Sequence, residues 1–271
     1  MKALILRGGQ SSRMGSDKPS LSLWGETLLD RQVNLAHSIT PDVFLSVAFS
    51  DKGKGHPVPA IPDLEESPGP LGGLQSAFAQ DPDSSWLLIA CDLPRLSQRD
   101  LIRLLDTREG TDVSCFLNPI DGVPEPLAAL YHPSAAPKLE AYFQGKNRCA
   151  RRFLQGLCRN EVKPLDPQAL LNLNCPEHLF EFEALHREKI TFKEVEVEYF
   201  AKLSAEASCD REQLRTSAAT VVGLWEEVRL RHHFSLELPQ IKPARDNEFI
   251  PWDTPLRDND AISFMPPFAG G

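Results

Sequence analysis

A four-residue apolar run, Ala3-Leu4-Ile5-Leu6, opens directly into Arg7-Gly8-Gly9-Gln10-Ser11-Ser12-Arg13-Met14-Gly15-Ser16-Asp17-Lys18, a glycine-rich loop that ends in cations. A strand that hands over to such a loop restricts the fold to one that offers a ligand the carboxyl end of a strand. Glycine lets the backbone come close to an anion, and converging N–H groups cradle it. The loop reads as a nucleoside triphosphate cradle in which Arg13 and Lys18 neutralise phosphate. Its spacing is neither the Gly-x-x-x-x-Gly-Lys-[Ser/Thr] of a P-loop nor the Gly-x-Gly-x-x-Gly of dinucleotide folds, which indicates a third class of nucleotide site.

The pattern that follows supports this. Up to about Phe180, strand-like and helix-like stretches alternate: a helix over Leu28–His37, strands over Val43–Phe49 and Val58–Ile61, and the clearest buried strand over Trp86–Cys91. Continuous apolar runs between helices predict an α/β doubly wound, Rossmann-like domain with a parallel sheet covered on both faces. Ligands in such folds sit outside the strand carboxyl ends, where Asp92 emerges after Leu87-Leu88-Ile89-Ala90-Cys91. One carboxylate there suits Mg²⁺ held against triphosphate oxygens. An Asp before Leu93-Pro94 also suits a turn, so the residue alone leaves both roles open.

From about Lys189 the texture changes. Val195, Val197 and Tyr199 alternate with Glu194, Glu196 and Glu198, as in a strand with one wet face. Thr220 stands at the N-cap of a helix whose Val221, Leu224, Trp225 and Val228 share one face. Strands over Phe249–Trp252 and Ala261–Met265, the second after the turn Asp258-Asn259-Asp260, complete a small α+β domain. With 271 residues against the roughly 100–200 of one domain, two domains are expected, over 1–185 and 189–271 with a junction at Glu181–Glu188.

The net charge of −9 is spread over both parts, which argues against nucleic acid and anionic membrane as partners. Six cysteines, Cys91, Cys115, Cys149, Cys158, Cys175 and Cys209, form no C-x-x-C pair and read as reduced thiols. No apolar run reaches the roughly 18 residues of a membrane span, and Lys2 leads into a strand and not a signal peptide, so the cytoplasm is the expected location. The histidines show no metal-ligand spacing. Lys146, Arg148, Arg151 and Arg152 form a basic cluster that suits either a solvated helix face or a phosphate.

Taken in order, Leu6-Arg7-Gly8-Gly9-x-Ser11-x-Arg13-Met14-Gly15-x-Asp17-Lys18, Asp63, Gly69-Pro70-Leu71-Gly72-Gly73, Cys91-Asp92-Leu93-Pro94 and Asn172-Leu173-Asn174-Cys175-Pro176 closely resemble the molybdenum cofactor guanylyltransferases over roughly residues 1–185. The resemblance implies GTP contacts from Leu6, Arg7, Gly8, Lys18, Asp63 and Asp92, with Mg²⁺ on Asp92. It implies pterin contacts from Asn172, Asn174 and Arg148. The implied reaction is attack by the terminal phosphate of molybdopterin on the α-phosphorus of GTP, with Lys18, Arg13 and Asp92 as the catalytic groups. Three positions depart from the family's pattern: Arg7 replaces a small residue, Cys175 replaces Thr, and Ser46 stands where many relatives carry Asn. Other nucleotidyltransferases, such as the cytidylyltransferases, are the competing reading.

After the last strand come Pro266-Pro267-Phe268-Ala269-Gly270-Gly271. Paired prolines stiffen the exit and terminal glycines clear all side chains from the α-carboxylate, the shape of a tail threaded into a narrow active site. Residues from about 189 onward are similar to the small sulfur-carrier subunit of molybdopterin synthase, a ubiquitin-like β-grasp protein, although Phe268 stands where those relatives carry a smaller or β-branched residue. The resemblance implies that the Gly271 carboxylate is adenylated by an E1-like activating enzyme, becomes a thiocarboxylate, and donates sulfur within the large subunit of molybdopterin synthase. A non-catalytic ubiquitin-like docking module is the alternative.

Overall fold

The computed structural model describes residues 1–7, 18–51, 55, 57–66, 68–106, 110–175, 177–187 and 192–266, with the backbone alone at Lys18 and at 185–187. The chain divides into two compact units, Met1–Asn174 and Cys175–Gly271.

The N-terminal unit contains β1 (Lys2–Leu6), β2 (Ser22–Leu23), β3 (Glu26–Thr27), α1 (Leu28–His37), β4 (Val43–Val47), β5 (Ala60–Pro62), α2 (Gly72–Gln80), β6 (Trp86–Ala90), α3 (Gln98–Leu105), β7 (Val113–Leu117), β8 (Pro124–Tyr131), α4 (Ala136–Gln144), α5 (Ala150–Gln155) and β9 (Arg159–Val162). Seven of the strands form one sheet in the order β5-β4-β1-β6-β8-β7-β9. The strands β5, β4, β1 and β6 run parallel, as the alternating pattern predicts. β8 instead runs antiparallel to both β6 and β7. The reason is local: only Asn118–Val123 joins β7 to β8, and a turn closed by Asn118 N–H to Val123 C=O cannot make the long crossover that a parallel pair needs.

Both sheet faces are covered, which explains why β6, and β1 beyond Lys2, are apolar. Ala3, Ile5, Leu87 and Ile89 face a core shared with Val33 and Ala36 of α1 and Leu101 and Leu104 of α3. Leu4, Leu6, Trp86 and Leu88 face the opposite core with Leu74 of α2, Phe143 of α4 and Phe153 of α5. Side chains alternate across a strand, so a two-sided burial demands an unbroken apolar run. The helix over Leu28–His37 begins where the Thr27 hydroxyl accepts from Asp30 N–H, and Asp30 adds a negative charge to its first turn.

The C-terminal unit contains α6 (His178–Arg187), β10 (Lys193–Tyr199), α7 (Lys202–Ala207), β11 (Arg211–Thr216), α8 (Val221–His232), β12 (Lys242–Arg245), β13 (Glu248–Phe249) and β14 (Ala261–Met265). Its sheet order is β11-β10-β14-β12-β13, with the first and last strands, β10 and β14, paired parallel at the centre. This is the β-grasp arrangement. Val195, Val197 and Tyr199 point into the core with Val221, Leu224, Trp225 and Val228, and Trp225 packs edge-on against Phe264. The strand expected over Phe249–Trp252 ends at Phe249. Pro251 has no N–H to extend the ladder, and Trp252 stacks on Phe264 instead.

The boundary between the units falls between Asn174 and Cys175, ahead of the Glu181–Glu188 junction expected above, so α6 belongs to the C-terminal unit. A buried carboxylate accounts for the difference. Glu181 of α6 accepts from Ala219 N–H at 2.9 Å, Thr220 N–H at 2.7 Å and the Thr220 hydroxyl at 2.5 Å, at the positive end of α8. A Cβ on Gly223 would lie 2.3 Å from the Glu181 carboxyl carbon, so only glycine leaves room for it. Thr220 does occupy the N-cap position, but its side chain makes no capping bond and serves Glu181.

Candidate functional site

The sheet register builds the site. Leu6 pairs with Ser46 on one side and Ala90 on the other, and Ser46 pairs with Ile61. One row, Ile61-Ser46-Leu6-Ala90, thus crosses four parallel strands near their carboxyl ends. Arg7 comes one residue beyond that row, and Asp63 and Asp92 two residues beyond it, on three of them. β1 lies where the chain order switches direction, with β4 on one side and β6 on the other, and ligands of open α/β sheets bind at such a crevice.

The amino end of α2 closes one side. A Cβ on Gly73 would sit 2.3 Å from Ser46 Oγ and 3.0 Å from Leu6, and one on Gly72 would sit 2.0 Å from Pro68 and 3.5 Å from Asp63 Oδ1. These two glycines let the helix start directly against the strand ends. Ser46 is 8% exposed and faces Gly73, which explains a small residue there. Asp63 is half-buried, its Oδ1 has no hydrogen-bond partner among the described residues, and burial pushes its carboxyl up to about 6. A buried acceptor without a donor fits a ligand that brings N–H groups.

Other expected residues divide into groups. The Arg7 carbonyl accepts from Cys91 Sγ at 3.0 Å, which ties the start of the loop to β6, and its guanidinium lies 3.9 Å from the Asp51 carboxylate. The Asp92 carbonyl accepts from Leu173 N–H at 2.9 Å, so the Asn172-Leu173-Asn174 segment lies at the end of β6. Arg148 has its guanidinium 4.4 Å over the Phe143 ring, bonds Glu65 at 2.8 Å, and lies against Gly69, which has a φ of +79°. Gly8 and Arg13, the Lys18 side chain and Gly271 lie outside the described residues.

The structure adds a carboxylate that the motifs do not name. Glu125, in β8, accepts from Leu127 N–H at 2.9 Å. Burial raises its carboxyl above the ordinary range; Arg151 opposes that rise, while Asp92 and Asp121 add to it. Glu125 therefore shares the electrostatic field of Asp92. The β7–β8 register shifts here, from Cys115 opposite Ala129 to Phe116 opposite Glu125. Its signal in the sequence is an acid between two prolines, Pro124-Glu125-Pro126, in an otherwise apolar strand. Arg151 also lines a recess with Val123, Pro124, Leu154 and Gln155. The basic cluster thus separates: Arg148 is engaged by Glu65, and Arg151 faces the acidic group.

Among the described residues no three His, Cys, Asp or Glu side chains are grouped to hold a metal by themselves. A single carboxylate at Asp92 fits a magnesium ion that takes its remaining ligands from phosphate and water, and does not fit an all-protein cage. No described helix is long and apolar enough to cross a membrane.

Residues 3–162 match the family model of the MobA-like NTP transferase domain, and residues 197–271 match that of the ThiS family. Among curated proteins, the chain is 32% identical over 181 residues to a molybdenum cofactor biosynthesis bifunctional protein of Synechocystis, a match that covers 64% of this chain and 51% of that protein. The chain thus spans about half the length of that relative. It is 30% identical to a probable molybdenum cofactor guanylyltransferase of Nostoc, over 66% of this chain and 88% of that one. Among solved structures, molybdopterin-guanine dinucleotide biosynthesis protein A from Archaeoglobus fulgidus shares the fold with a TM-score of 0.58 at 22% identity, covering 70% of this chain and all of that one.

Proposed function

The chain belongs to the MobA-like NTP transferase family, and from that premise we propose that its N-terminal unit transfers GMP from GTP to molybdopterin while its C-terminal unit carries sulfur on Gly271. The observation that carries the first half is the strand-end row with Asp63, Arg7 and Asp92 beyond it and the Asn172–Asn174 segment bonded to Asp92. The guanylyltransferase names of relatives support GTP as the donor.

In this reading the main chain at Leu6, Arg7 and Gly8 lies along the nucleotide, and Asp63 accepts the N–H donors of guanine. Lys18 and Arg13 balance charge on the phosphates. Asn172, Asn174 and Arg148 orient the pterin, whose ring offers amide-like donors and acceptors. An oxygen of the molybdopterin phosphate attacks the α-phosphorus of GTP. A new P–O bond forms as the bond to the β-phosphate bridging oxygen breaks, and pyrophosphate leaves with the electron pair. No protein nucleophile is needed, so positioning and charge carry the rate. Magnesium held by Asp92 would supply Lewis-acid neutralisation of the phosphates. Glu125, whose carboxyl is raised, sits in the field of Asp92 and limits the negative charge there by retaining its proton more readily than an ordinary carboxyl.

For the C-terminal unit, the ThiS family match and the β-grasp topology support a carrier whose Gly271 carboxylate is adenylated by an E1-like enzyme and converted to a thiocarboxylate for the large synthase subunit. The reactions belong in the cytoplasm. Incubation with Mg²⁺, molybdopterin and each nucleotide in turn tests the first half: pyrophosphate release with GTP is expected, and turnover with CTP alone would assign a cytidylyltransferase. Intact mass measurement after incubation with an activating enzyme, ATP and a sulfur donor tests the second. Absence of oxygen-to-sulfur exchange at Gly271 would leave a docking module.

A further inference from the structure

Gln32 breaks the pattern of the helix it belongs to. Leu28, Gln32 and Ala36 share one stripe of α1 and are completely buried, where i, i+4, i+8 spacing calls for apolar side chains. A buried amide needs a partner. Its Nε2 donates to the Leu93 carbonyl at 2.8 Å, and its Oε1 has no partner among the described residues. The position thus keeps an amide for its donor alone.

The neighbouring side chain reaches the same turn. Arg31 Nε donates to the Pro94 carbonyl at 2.5 Å, its Nη1 bonds Glu26 at 3.0 Å, and its guanidinium lies 4.6 Å over the Trp24 ring. With the bond from Leu173 N–H to the Asp92 carbonyl, three successive carbonyls, those of Asp92, Leu93 and Pro94, are each gripped from another segment. The turn does not need Gln32 in order to form, since the Leu93 carbonyl also accepts from Leu96 N–H at 3.2 Å. What the two α1 side chains fix is where the turn sits. Trp24 and Glu26 belong to the β2–β3 hairpin that follows Lys18 along the chain. Arg31 therefore ties the stretch after one phosphate cation to the turn that carries the carboxylate.

We propose that Gln32 and Arg31 are positioning residues for Asp92, which hold its carboxylate in register with the end of the glycine-rich loop so that magnesium meets both Asp92 and the triphosphate. The inference rests on the proposed role of Asp92 as the metal holder. Both side chains act through the main chain of the turn. Magnesium tolerates little departure from octahedral geometry, so a displaced turn weakens the hold on the metal before it weakens the hold on the nucleotide.

Electron paramagnetic resonance of Mn²⁺, titrated into the full chain held in excess over a non-hydrolysable GTP analogue, reads metal affinity without turnover. Affinity for the analogue without metal is measured beside it. Gln32→Leu removes the donor at similar volume, and Mn²⁺ affinity should fall about 10-fold with metal-free nucleotide affinity unchanged. The Mg²⁺ needed for half-maximal pyrophosphate release should rise by the same factor, while kcat at saturating Mg²⁺ returns to that of the unaltered chain. Arg31→Lys keeps the charge and loses the Nε bond, so it should weaken Mn²⁺ in the same direction. The Arg31 side chain is partly exposed, and its variant decides alone if Gln32→Leu does not fold. Unchanged Mn²⁺ affinity in the folded variants overturns the proposal, as does an equal loss of metal-free nucleotide affinity, which marks a general loosening of the unit. Asp92→Ala, run in parallel, separates the two readings. Unaltered Mn²⁺ affinity there overturns the metal role of Asp92 itself, whereas a loss there with none in the α1 variants overturns the positioning alone.

Discussion

Asp63 in the N-terminal unit and Glu181 in the C-terminal unit are carboxylates under the same stress, since burial raises both above the ordinary range. They resolve it in opposite ways. Glu181 meets two backbone N–H groups and a hydroxyl, with Gly223 cut back to admit it. Asp63 Oδ1 meets no donor among the described residues, at the mouth of four parallel strands. A buried acid that the protein satisfies holds a scaffold together, and one that it leaves unsatisfied is a seat for something else. Burial alone does not tell the two apart; the donors do.

The largest effect expected from this contrast lies on the strand-end side. Asp92→Ala should lower turnover with GTP about 100-fold or more, while the bond from Leu173 N–H to the Asp92 carbonyl, a main-chain contact, is kept. Steady-state pyrophosphate release and circular dichroism measure both halves, and a variant that melts early would break the distinction. Glu181→Ala should do the reverse: about 2–4 kcal/mol of stability lost in the C-terminal unit, because buried donors lose a charged acceptor, with GTP affinity unchanged. Urea unfolding and equilibrium binding read these outcomes.

A third expectation concerns pH at the pair of His178 Nε2 and Glu226 Oε1, 3.2 Å apart. His178 is raised, so its contribution is complete below its unfolded value near 6.5 and disappears as pH rises through about 10. Glu226 is depressed, so its contribution is complete above about 4.5 and disappears as pH falls through about 2. The pair therefore supports the C-terminal unit most fully between about pH 4.5 and 6.5, and Glu226→Gln should flatten the melting temperature on both flanks. The smallest effect is at Asp63. Its ionised form accepts donors, so GTP affinity should fall up to about tenfold per pH unit below 6, and Asp63→Asn should remove that slope in a titration of nucleotide binding.

Much of this was legible in the residues. Two-sided burial leaves an unbroken apolar run, so the β1 and β6 strands could be read directly, and the helix over Leu28–His37 declares itself through its cap. Strand direction was not legible, because periodicity is the same in either sense; β8 runs backward for want of chain between Leu117 and Pro124. The division at Cys175 is not legible in the residues, because Glu181 resembles any surface acid until its donors, some forty residues later, are brought to it. Glu125 escaped notice for a related reason. Its partners Asp92, Asp121 and Arg151 come from separate segments, and no spacing within one segment encodes such a meeting.

The central pairing of β10 with β14 has a consequence for synthesis. In the N-terminal unit, β1, β4 and β6 are all available by Ala90, so the middle of that sheet can form while the rest of the chain is still being made. In the C-terminal unit the middle of the sheet joins the first strand to the last. Nothing central can close until Met265 has emerged, and the loop to be closed is nearly the whole unit, which slows folding. A ribosome that stalls before β14 would therefore expose the apolar faces of β10 and α8 together, whereas one that stalls after it would not.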